Sequence, residues 1–151
     1  MYYTDIQIKE ALDKAKEIIN SRSGSLLGHK YGYNDCWTFV IEYDKFLRGN
    51  SELPSLDIKY ENHLEFEEQI KKTGHISLPD FINNYKYEHV KNKRPQYGDV
   101  AYELTRDGSG TAMIADRKWW RTAKGTQGIV RGRLVRFYEM NPILIARPLR
   151  S

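Results

Sequence analysis

The sequence predicts an α+β domain whose N-terminal helices, one of them bearing the only cysteine, pack on a C-terminal antiparallel sheet. Three observations predict it. Apolar residues recur at helical spacing through the first half of the chain. Past Pro95 the pattern changes to short extended runs separated by turn residues. Helices first and strands afterwards is the order of an α+β fold with an antiparallel sheet. At 151 residues the chain reads as one domain, 1–151, able to bury roughly 68–70% of its unfolded surface.

The first helix is expected from Thr4 to Arg22, where Ile8, Ala11, Leu12, Ala15, Ile18 and Ile19 make one apolar stripe. Thr4 or Asp5 can cap its start, and Ser23-Gly24-Ser25 ends it. A Gly-rich loop (24–34) leads to a second helix, with Cys36, Phe39, Val40, Tyr43, Phe46 and Leu47 on one face. Asn34 or Asp35 is a natural N-cap, and Gly49 supplies the stop. After a loop around Pro54, a short helix is expected from His63 to Lys72, with Asn62 and Glu65 at capping-box spacing and Gly74 closing it. Another is expected from Leu78 to Tyr85 with Ser77 as its cap. "GDVAYEL" (98–104) reads as a strand, "TRDGSG" as a turn and "TAMIAD" (111–116) as the returning strand. Further extended runs fall near Gly128–Val130, near Arg133–Tyr138 and at "ILIARPL" (143–149).

Composition narrows the function. No apolar run approaches the ~18 residues of a membrane span, so no membrane span is expected. The start, "MYYTDIQIKEALDKAKEI", lacks the cationic segment and apolar stretch of a secretory signal, which points to synthesis in a cytosol. One cysteine excludes an internal disulfide and C-x-x-C metal spacing; His29, His63, His75 and His89 form no metal-binding motif. Neither metal nor cofactor is expected. Charge is uneven: residues 1–90 carry 11 Lys/Arg against 15 Asp/Glu (−4), and residues 91–151 carry 13 against 5 (+8). The basic part is either a solvated sheet surface or a contact for an acidic neighbour, an anionic wall polymer or nucleic acid. Nucleic acid ranks last, because no recognised motif accompanies the charge.

Cys36 admits two readings. A thiol attacks as its thiolate, and a free cysteine, of pKa ~8.5, is only a few per cent ionised at neutral pH. A helix N-terminus and a neighbouring imidazolium both favour ionisation. The other reading is a small apolar residue filling a core, which its place on the apolar helix face favours when spacing alone is considered.

"YGYNDCWTFV" (31–40), followed by "RPQYGDVAYEL" and "GSGTAMIAD", resembles the NlpC-type cell-wall cysteine peptidases, which are papain-like enzymes. More narrowly it is similar to small proteins of that fold encoded among bacteriophage tail genes. By position, the resemblance implies that Cys36 is the nucleophile, that Asp35 precedes it and that Tyr31 and Gly32 form the turn presenting the helix. It makes Gly98 and Asp99 the start of the strand packed beside it. The family's general base is a histidine opening the next strand. Thr111 stands there, and threonine cannot take a thiol proton near neutral pH. His29, in the loop before the cysteine helix, is the best substitute base.

Two basic segments complete the reading. "RKWWR" (117–121) places Trp119 and Trp120 among Arg117 and Arg121. It is either a strand end with one tryptophan packed and the other under a cation, or a docking anchor. "GIVRGRLVRFY" (128–138) sets Arg131, Arg133 and Arg136 among apolar residues, as a strand with one wet basic face would. The resemblance, the absent base and the charge asymmetry together lead to one expectation. It is a bacteriophage tail component (hub, tip, adaptor or ejection-machinery protein), made in the host cytoplasm and built into the virion. Other tail or virion proteins would be its partners, with peptidoglycan the second candidate. The alternative is an active peptidoglycan endopeptidase with Cys36 as nucleophile, and a host-interacting binding module of the same fold stands third.

Overall fold

The computed structural model describes residues 1–23, 36–53, 63–104, 110–126 and 129–150. Helix α1 spans Asp5–Ser23 and α2 Cys36–Arg48; α3 is His63–Lys72 and α4 Leu78–Asn83. Strands follow as β1 (Tyr87–His89), β2 (Val100–Leu104), β3 (Gly110–Asp116), β4 (Trp119–Thr126), β5 (Ile129–Arg136) and β6 (Leu144–Pro148), with a 3₁₀ turn at Phe137–Glu139. The α+β class is as the sequence predicts. No helix among the described residues is long and apolar enough to cross a membrane.

Local chemistry sets the helix ends. The Gln7 N–H donates to Thr4 Oγ1 (3.2 Å), and the Thr4 N–H donates to Gln7 Oε1 (2.9 Å). This reciprocal pair is a capping box, with Gln in the third position. Ser77 accepts from the Asp80 N–H at 3.2 Å and starts α4, which ends at Asn83, two residues earlier than expected. Gly49 and Gly74 follow α2 and α3 at φ +81° and +94°, a left-handed stop that glycine adopts without steric cost.

The six strands lie in the order β1-β6-β2-β3-β4-β5, and their pairings are antiparallel. β2 to β5 form a meander, and the last strand returns to insert between β1 and β2. Val100 therefore faces Ile114 on one side and Ala146 on the other. One sheet face, carrying Val100, Tyr102, Ala112, Ile114, Leu144 and Ala146, packs with α1, α2 and α4 into the main core. The opposite face carries Ala101, Met113, Ala115, Trp120 and Ile145 and is packed by Val90, Phe137 and Met140.

The strands depart from expectation in three ways. β1 is not predicted by the sequence, because three residues are too few to show alternation. β4 is not predicted beyond its tryptophans, because "TAKGT" reads as polar loop. The two runs expected between 128 and 138 are one strand, β5, which Gly132 interrupts in sequence but not in pairing. α2 is also buried more widely than one stripe: Trp37, Thr38 and Asp44 are covered besides Phe39, Val40 and Tyr43. It lies between α1 and β3–β4, and Trp37 meets Phe81 of α4 with ring centres 5.8 Å apart.

Candidate functional site

Cys36 opens α2, and its half-buried side chain packs on the main core. The sulfur accepts a hydrogen bond from the Ala112 N–H at 3.4 Å. The Ala112 carbonyl accepts from the Thr122 hydroxyl at 2.8 Å. The β3–β4 ladder pairs Ile114–Asp116 with Trp119–Arg121 and goes no further. Both backbone groups of Ala112 are thus satisfied by side chains where the ladder stops. The two strands part at this residue, and Cys36 sits in the fork.

The β3 residue that meets the thiol is Ala112, one position later than the resemblance places the base. Ala112 and Ile114 belong to the core beneath the helices, whereas Met113 belongs to the opposite face. Alternation along the strand puts Thr111 with Met113, away from the helices. Thr111 is half-buried there, opposite Glu103. Tyr102, opposite Ala112 on β2, is a neighbour the motif does not disclose. Burial, then the nearby Cys36 and Glu67, push its phenol far above the usual tyrosine range, so it stays protonated at physiological pH and serves as no base.

The histidines are distributed as follows. His89 lies on β1, separated from β3 by β6 and β2, about 14 Å away at the usual strand spacing. His75 Nδ1 lies 3.3 Å from Asp80 Oδ2, and its ring stands edge-on to Phe81 and Tyr85. His29, Tyr31, Gly32 and Asp35 fall outside the described residues.

Gly98 and Asp99 lie in the turn just before β2 and have structural work. Gly98 has φ +90°, and a Cβ there would come within 2.8 Å of Ile8 Cδ1 and Tyr43 Oη. Its carbonyl accepts from the Tyr43 hydroxyl at 2.8 Å. Asp99 is fully buried and takes two bonds from Arg147 of β6, at 2.9 and 3.0 Å, and a third from the Gln96 N–H. Burial pushes its carboxyl up, against the pull of Arg147 and of the Gln96 N–H. The G-D pair therefore anchors a strand entry to two helices and to the C-terminal strand.

The basic segments are only partly a free surface. Trp120 is 1% exposed and packs against Phe137 as a tilted ring pair with centres 4.9 Å apart, so it is a core residue and not a docking anchor. Trp119 lies under the Arg136 guanidinium at 5.0 Å. Arg121 is bound to Asp116 at 2.8 Å, and Arg117 lies over the Tyr97 ring. Arg131 and Arg133 pair through β5 with Lys124 and Thr122; their side chains lie outside the described residues, as does any test of one shared basic face.

A second polar centre was missed by sequence reasoning. Asp44, 1% exposed, accepts from Arg48 Nε (2.7 Å), the Tyr87 hydroxyl (2.8 Å) and the Ser51 hydroxyl (2.8 Å). Arg48 also donates to the Leu149 and Lys86 carbonyls. The only sequence signal is the i, i+4 spacing of Asp44 and Arg48. Beside it lies a polar cavity of about 420 Å³ lined by Tyr3, Glu52, Lys86 and Arg150 among others. Asp44 is eight residues from Cys36, about 12 Å along the helix, so cavity and thiol are separate places.

No curated protein matches the chain. A family match covers residues 22–140, from the last turn of α1 past β5, and so takes in Cys36, the fork and the basic hairpin. The chain belongs to the family described as a domain of unknown function (DUF6950).

Proposed function

We propose that this protein is a bacteriophage virion component, built on a degenerate NlpC-like scaffold, that acts through protein–protein contacts and not through thiol catalysis. The observation that carries the reading is the fork: the strand residue meeting Cys36 is Ala112, and it meets the sulfur through its backbone N–H. Neither Ala112 nor the adjacent Thr111 can take a proton from a thiol. Tyr102 stays protonated, and His89 is three strands away. The thiol here completes a strand junction. The net +8 of residues 91–151 supports contact with an acidic neighbour.

Purified protein incubated with peptidoglycan is expected to release no peptide fragments, as read by chromatography and mass spectrometry. Mass spectrometry of purified phage particles is expected to find the chain in the tail. Wall cleavage that disappears with Cys36→Ala would overturn the proposal.

One observation favours the rival, an active endopeptidase. Cys36 begins a 13-residue helix and receives an N–H bond, and both features favour a thiolate. Such an enzyme would alkylate with a midpoint well below the ~8.5 of free cysteine.

A further inference from the structure

We propose that the outer edge of β5 is a docking strand for an acidic, extended segment of another protein, which adds to the sheet as a further strand. This deepens the contact-based reading above and rests on it. β5 ends the sheet, and among the described residues it pairs with β4 alone. Its eight residues, Ile129–Arg136, pair without a break from Thr126↔Ile129 to Trp119↔Arg136. In an antiparallel strand every second residue turns its N–H and C=O away from the partner. A regular terminal strand of this length therefore presents a row of alternating donors and acceptors, which is a template for another strand. The other edge, β1, has three residues and offers little.

Past Arg121 the hairpin leaves the backbone ladder of the rest of the sheet. β4 pairs with β3 only through Arg121, so Thr122–Thr126 and Ile129–Arg133 continue as a two-stranded ribbon. α1 packs against β5 and α2 against β4, and a third strand would add the backbone pairing that this packing does not supply.

Charge selects the occupant. From Arg117 to Tyr138 the chain has seven Lys/Arg and no Asp/Glu. Two copies of β5 would bring arginines against arginines, so the cations that block self-pairing admit an acidic strand. A DNA backbone would answer the charge but has no donors for the edge carbonyls, and the ribose hydroxyls of RNA do not repeat at the strand's spacing as peptide N–H groups do. A peptide answers both.

The test uses a dye-labelled peptide of alternating Glu and Thr, about ten residues long like a long strand, titrated with the full chain and followed by fluorescence anisotropy. Two further peptides carry N-methyl groups on the Glu amides or on the Thr amides. The parent peptide is expected to bind, and added salt to weaken it. One methylated peptide is expected to lose at least about tenfold, because its donors face β5, while the other stays within about twofold. R131E/R133E is expected to abolish binding, with circular dichroism verifying its fold. Equal binding by both methylated peptides would show charge attraction without strand addition and would overturn the proposal. So would a short DNA duplex binding while the peptide does not, or equal binding by a Lys–Thr peptide. Thiol-dependent wall cleavage bears on the reading above and leaves this assay untouched, so the two fail separately.

Discussion

Asp116, at the end of β3, shows how single side chains tie the helical layer to the sheet. It receives Arg121 at 2.8 Å along its own hairpin and Lys16 of α1 at 2.9 Å. Burial pushes its carboxyl up, but the bonds from Lys16 and Arg121 outweigh it and hold the group below the usual carboxylate range. A depressed folded-state pKa gives stability that is present above the unfolded value, near 3.9 for aspartate, and lost as pH falls through the folded value. Asp116→Asn is therefore expected to lower urea stability at pH 7, with the gap to wild type closing below about pH 4. Urea midpoints at the two pH values check this. A gap that widened in acid would contradict it. This pairing is illegible in the sequence, since Lys16 and Asp116 are a hundred residues apart. Cys36 is half legible: its helix start follows from the motif, but the partner on β3 depends on strand parity, which the motif does not carry.

The helices are the most legible elements, because the two long ones carry a periodic stripe and each has a chemical start or stop. The start of α1 is a Thr-x-x-Gln box, and the bounds of α3 are as expected. The strands were less legible, because cross-strand partners and not local pattern make β1 and β4. α2 shows the same limit. Its apolar stripe marks the helix, but Asp44 is buried because Tyr87 of β1 and Ser51 come to it. Removing one partner of a buried charged network leaves the other uncompensated. Asp44→Ala is thus expected to cost about 3–5 kcal/mol, measured by equilibrium urea denaturation. A loss under about 1 kcal/mol, the range of a surface pair, would show that Arg48 finds enough water to do without its partner.

At the scale of the whole molecule, the class is legible and the closure is not. An order of helices followed by strands gives α+β, but nothing local says that the last strand returns to the middle of the sheet. β6 holds β1 on one side and β2 on the other, and its Arg147 meets buried Asp99. Its pairing with β2 joins residues over forty positions apart, and such non-local contacts form only after a large loop entropy is overcome. A chain stopped after Asn141 is therefore expected to lose its sharp urea transition, as followed by tryptophan fluorescence. A truncated chain that unfolds as sharply as the full one would remove β6 from the cooperative core.

The place of Cys36 at the parting of β3 and β4 has one more implication. Cys36 of α2 and Thr122 of β4 both bond to the backbone of Ala112, so one residue of β3 links the thiol to the hairpin. The single cysteine of the sequence is therefore a natural place to attach a reporter for the basic hairpin.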